Sequence, residues 1–291
     1  MPPHGRKSLM PADLVSPDFA FALTLLLRMA VTAAFVVTAS IVTERSGPVI
    51  GALVATLPIS AGPSYVFLAL DHDAAFIAQG ALASLPINAA TMFLALTYVW
   101  LAQTRGTIVS LGAAVGVWFA LAALVKSTAW SLAGGVAVNV VAFAVVLPLM
   151  ARFRHVKMPV IVRRWYDVPL RAALVASLVA TVVTLSSTIG AAGSGILALY
   201  PVVLTSLMLL LQPRIGGPAT AAVIANGGWG LMGFALSIVA LHLTAVRLGS
   251  ALALGLALAI CVAWNLGLWT WGRRARAPRS EASRDAPAPL P

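Results

Sequence analysis

Charge is the scarcest commodity in this sequence. Only 9% of its 291 residues are Asp, Glu, Lys or Arg, where a soluble domain carries roughly a quarter. An ordinary water-facing surface is excluded. Acids are rarer still, eight against nineteen Lys and Arg. None falls in the middle of an apolar run: Glu44, Asp71 and Asp73 lie in joins and Asp167 at a boundary. Proton- and cation-coupled pumps often rely on an intramembrane carboxylate, so that mechanism lacks its usual residue.

Cysteine is nearly absent. The single Cys261 leaves no internal disulfide and reads as a small apolar filler. There is no phosphate-binding P-loop, no His/Asp/Glu cluster with metal-ligand spacing, and no Ser or Cys in a nucleophile frame. The sequence therefore calls for no cofactor and no metal, and an enzyme is the lesser expectation.

What is present is apolar. Hydrophobic residues make up 60% of the chain and the mean hydropathy is +0.97. Runs long enough to cross a bilayer recur from end to end. A β-barrel would instead show short alternating segments. The expected class is an all-α polytopic membrane protein, with the lipid bilayer as its first partner. The net charge of +11 does not indicate nucleic acid, because the basic residues sit in joins and in the tail, where sidedness and anionic headgroups account for them.

Nine apolar segments are expected, at 19–42, 48–70, 74–101, 107–125, 128–150, 168–189, 193–211, 217–243 and 248–271. Residues 1–18 form a polar N-terminal segment, too polar for a tidy signal peptide. A basic loop covers 151–167, and the Arg-, Pro- and Ala-rich stretch 272–291 reads as a disordered tail. Arg45, Arg105, Arg152, Arg154, Lys157, Arg163, Arg164 and Arg214 fall on the same side as the tail, whereas the join "DHD" (Asp71 to Asp73) lies on the other. That bias places the N-terminus outside and the C-terminus in the cytoplasm of a bacterial inner membrane.

The sequence also matches itself at a displacement of 143 residues. Arg28 meets Arg171, Gly47 meets Gly190 and Pro58 meets Pro201. Five segments separate the copies, so the second enters the membrane from the opposite side. The reading is an inverted repeat of five plus four helices, 19–150 and 168–271, an arrangement common among secondary transporters.

Candidate functional residues follow from what hydrocarbon penalises. A proline inside a spanning helix removes a donor and frees the carbonyl four residues earlier, so Pro58 and Pro201 mark breaks where a substrate path could run. Gln79, Asn88 and Asn226 are amides that must find partners, either a solute or a neighbouring helix. Asn226 opens "NGGWG", where Trp229 adds a large aromatic face. Arg28 either snorkels to the interface or faces a cavity and favours an anionic substrate. Together they suggest a transporter or permease for a small solute, with a second copy of the chain as a candidate partner. The rivals are a membrane enzyme for an apolar or lipid-linked substrate and an accessory subunit of a larger complex.

Overall fold

The structure is a computed structural model that describes residues 17–45, 59–156 and 164–274. Those residues form nine helices and no strand: α1 Pro17–Arg45, α2 Ala61–Asp71, α3 Ala74–Leu101, α4 Thr107–Lys126, α5 Leu132–Ala151, α6 Asp167–Ala198, α7 Val202–Ile215, α8 Gly217–Leu248 and α9 Ser250–Arg274. Seven of them, all but α2 and α7, are long and apolar enough to cross a membrane. Helix is the required solution for such runs, because it satisfies every backbone group within the segment.

Local signals set the boundaries. Asp73 caps α3 by accepting from Phe76 N at 2.8 Å, and Ser131 caps α5 by accepting from Gly134 N at 3.1 Å. Gly216 and Gly249, both at φ 82°, turn the chain between α7 and α8 and between α8 and α9, in a backbone region that disfavours any residue with a Cβ.

The centre of the molecule is α3. Of its membrane-spanning window, 78% is buried within the protein, and it packs against α4, α5, α6 and α8. Association of helices in lipid depends on close approach through small residues. A Cβ on Gly195 would collide with Gly80 O, and one on Gly217 with Ala102 O.

Hydrogen bonds fix the helix directions. His242, late in α8, meets Ala78 O, early in α3, at 2.8 Å. At the opposite end Tyr98 Oη donates to Gln212 Oε1 at 2.9 Å, and Gln212 Nε2 donates to Arg105 O at 2.9 Å. Helices α3 and α8 are therefore antiparallel. His72 Nε2 lies 2.8 Å from Ser186 Oγ, which puts residue 186 of α6 at the Asp71 end. Arg214 joins Asp167, at the start of α6, by a 2.6 Å bond, which puts the end of α7 at the Arg105 end. So α2 and α7 finish at opposite ends of the bundle.

The starts of α3 and α4, at Ala74 and Thr107, recur 143 residues later at Gly217 and Ser250, the starts of α8 and α9. The contacts recur as well: α3 packs on α4 as α8 packs on α9, and α4 touches α7 as α9 touches α2.

The division expected between 168–189 and 193–211 falls at Gly190, whose non-helical backbone (φ 70°, ψ −177°) separates two helical stretches within α6. The glycine accepts a positive φ at no steric cost, and the chain turns back there. Helical geometry fails again at residues 199–201, ahead of α7.

Candidate functional site

The chain from Gly190 to Arg214 runs from the Asp71 end to the Arg105 end with an interruption partway. Pro201 is buried and stands at the N-cap of α7 with φ −80° and ψ 62°. Its freed backbone groups find partners close by. Leu197 O accepts from Tyr200 N at 3.0 Å, and Pro201 O accepts from Thr205 N at 2.9 Å. Gly195 O, whose helical partner would lie inside the interruption, accepts from Ser84 Oγ at 2.8 Å. Ser84 Oγ in turn lies 2.6 Å from Tyr65 Oη. A chain of hydroxyls from α2 and α3 thus closes the broken end of α6.

Beside it, Ser194 Oγ is buried and has no hydrogen-bond partner. A buried hydroxyl left this way costs about 1–3 kcal/mol, which singles out the broken end of α6 as the polar weak point of the core. On the other flank Tyr200 meets the edge of Trp118, ring centroids 5.2 Å apart, and Trp118 Nε1 donates to Thr91 Oγ1 at 3.2 Å.

A second polar knot lies at the middle of α3. Asn88 Nδ2 donates to Asn139 Oδ1 at 3.0 Å and to Leu231 O at 3.2 Å, the latter 143 residues away along the chain. Asn139 Nδ2 donates to Leu85 O at 2.7 Å, the carbonyl just before Pro86. Three helices are stapled by two amides, as apolar surroundings demand.

The remaining sequence candidates do not converge on one point. Pro58 lies outside the described residues. Gln79 is exposed. Arg28 forms a two-pronged ion pair with Asp71, one prong at 2.6 Å, and its guanidinium carbon lies 5.6 Å from the Phe67 ring centroid. The carboxylate supplies the counter-charge that a cavity-facing arginine would otherwise seek in a substrate. Asn226 is exposed and donates to Ala222 O at 2.9 Å. Its Nδ2 also approaches Arg154 O at 3.4 Å, and Trp229 lines a groove apart from the break.

No family model, curated protein or solved structure matches the chain.

The groove at Trp229 is large and apolar. It holds about 760 Å³ between α5 and α8, with Trp264 of α9 at its edge. A further groove holds about 620 Å³ among α1, α2, α8 and α9. Both fall within the usual size of ligand pockets. Arg154 reaches the first groove, its guanidinium carbon 5.9 Å from the Trp229 ring centroid. Burial pulls its pKa below the ordinary guanidinium value. Among the described residues, no three His, Cys, Asp or Glu side chains converge as metal ligands would.

Sequence reasoning singled out Asn88 as a polar group in a membrane helix but not its partners. Tyr65, Gly195 and Asn139 carry weak local signals. Asn139 is the lone amide in "GGVAVNVVAF", and that isolation was the available clue.

Proposed function

We propose that this protein is a membrane transporter built from two inverted repeats, 19–150 and 168–271, crossing the bilayer nine times, with its substrate path beside the broken helices that contain Pro58 and Pro201. The observation that carries the reading is the interruption at residues 199–201, between α6 and α7, 143 positions after Pro58. Discontinuous helices at related positions of inverted halves are the common substrate-site architecture of secondary transporters. The recurring helix starts and the opposed directions of α3 and α8 support the inversion. Arg105, Arg152, Arg154 and Arg214 gather at one end of the bundle, opposite Asp71 and Asp73, which favours the Arg105 end as cytoplasmic.

Substrate class follows from the lining. Ser84 and Asn88 of α3 are engaged by neighbouring helices, and the grooves of about 760 and 620 Å³ are apolar. A solute with an apolar body suits this interior better than a small hydrated ion. Movement of one repeat against the other would expose the Ser194 hydroxyl and the Gly195 carbonyl to it.

Ligand-induced thermal stabilisation tests the proposal. Purified protein is melted with panels of small anions, amino acids, neutral solutes and amphipathic solutes. A ligand at a hundred times its Kd adds about 2.7 kcal/mol to stability, so the true class raises the melting midpoint and Ser194→Val reduces the rise. Failure of every panel to move the midpoint of a folded sample speaks against a solute carrier.

A further inference from the structure

The groove between α5 and α8 combines two features that a lipid-facing crevice does not need. Apart from Asn139, whose amide is engaged by α3, its walls are apolar from Val136 to Ala151 along α5, a length of about 22 Å at the helical rise, enough for one extended acyl chain. Its end at Arg154 is cationic. Arg154 Nε and Nη2 are both shielded from solvent, and neither has a hydrogen-bond partner. No ion pair joins Arg154 to a carboxylate among the described residues. A shielded guanidinium with two unused donors is an acceptor-seeking group, and it matches an oxyanion in charge and geometry. Trp229 and Trp264, whose Nε1 donates to Trp229 O at 3.0 Å, form the aromatic wall below it, the arrangement expected where headgroup meets acyl chain.

We propose that this groove is a binding site for one anionic phospholipid of the surrounding bilayer, with its phosphate at the Arg154 guanidinium and one acyl chain along α5. The site requires only that the chain reside in a membrane, and it stands whether or not the protein transports a solute. It separates Trp229 from the break at Pro201: Trp229 belongs to the lipid site and not to a solute path.

Native mass spectrometry of the detergent-purified protein tests the assignment, with phosphatidylglycerol, phosphatidylcholine and inorganic phosphate added separately. Wild type retains one phosphatidylglycerol about fivefold more strongly than phosphatidylcholine, and inorganic phosphate alone does not compete. Arg154→Gln abolishes the preference for phosphatidylglycerol, whereas Arg152→Gln, which removes a nearby charge outside the groove, preserves it. Ala144→Trp, from an exposed groove position on α5, blocks the chain and lowers retention with the charge intact. Circular dichroism melting shows that each variant is folded, and Ala144→Trp decides the matter if Arg154→Gln is not. Equal retention of the two lipids by wild type, undiminished binding in Ala144→Trp, displacement by inorganic phosphate, or a lipid-free dimer covering the groove would each overturn the assignment.

Discussion

Asp71 and Arg214 stand 143 residues apart, and each closes an ion pair at the end of its helix, α2 or α7. Asp71 takes Arg28 of α1, and Arg214 takes Asp167 at the start of α6. The pairs lie at opposite ends of the bundle and reverse the order of charge along the chain. The side chains of Arg214 and Asp167 are 13% and 10% exposed, those of Arg28 and Asp71 17% and 30%. The better-buried pair should matter more, because a partner stripped of its counter-charge there stays poorly solvated. Arg214→Gln is expected to cost about 2 kcal/mol and Asp71→Asn about 1 kcal/mol or less. Thermal unfolding in nanodiscs measures both, and the reversed pair Asp167→Arg with Arg214→Asp should recover part of the loss.

Glycine positions allow a paired comparison. Gly195→Ala must push α6 from α3, because its Cβ would strike the Gly80 carbonyl, backbone against backbone. A loss of about 1–3 kcal/mol or more is expected. Gly112→Ala and Gly116→Ala in α4 meet nothing within 4 Å, so they should leave the melting midpoint unchanged or raise it, as alanine is the better helix former. Equal effects in the two classes would contradict the packing.

The amide knot should show non-additive energetics. Asn139→Leu takes from Asn88 Nδ2 one of its two acceptors and from the Leu85 carbonyl its side-chain donor, at about 1–3 kcal/mol. Adding Asn88→Leu removes the amide that had lost its partner Asn139 Oδ1 and should cost less than the sum of the single variants. A double-mutant cycle in thermal or denaturant unfolding measures the coupling.

Much of the architecture was legible because hydrocarbon allows few alternatives. Apolar runs had to become helices, and the expected starts at residues 74, 107 and 217 coincide with those of α3, α4 and α8. Gly190, with its non-helical backbone, falls in the join expected between 189 and 193, and Pro201 had marked the second interruption, at 199–201. Pairing was hidden. Arg28 and Asp71 are 43 residues apart, and Asn139 and Leu85 are 54 apart, so each looked like a lone polar group until packing joined them. The membrane candidates were thus visible by type, and their partners were settled by tertiary contact.

The hydroxyl chain at the break gives a graded series. Ser84→Ala leaves both Gly195 O and Tyr65 Oη without their partners and should destabilise by about 1–3 kcal/mol. Tyr65→Phe removes only the outer member, so Ser84 still serves Gly195 O, and its cost should be the smaller. Thermal melting ranks the two, and a larger effect for Tyr65→Phe would contradict the arrangement.

Tracer flux into proteoliposomes tests the central claim most directly, with wild type and Pro201→Ala reconstituted side by side. Alanine restores a backbone donor at the interruption and allows helix to form through residues 199–201. The account predicts solute uptake above protein-free liposomes for wild type, and a loss of about tenfold or more for folded Pro201→Ala, as befits a substrate site built on the break. Equal uptake by the two proteins, or no uptake of any solute class by folded wild type, would contradict it.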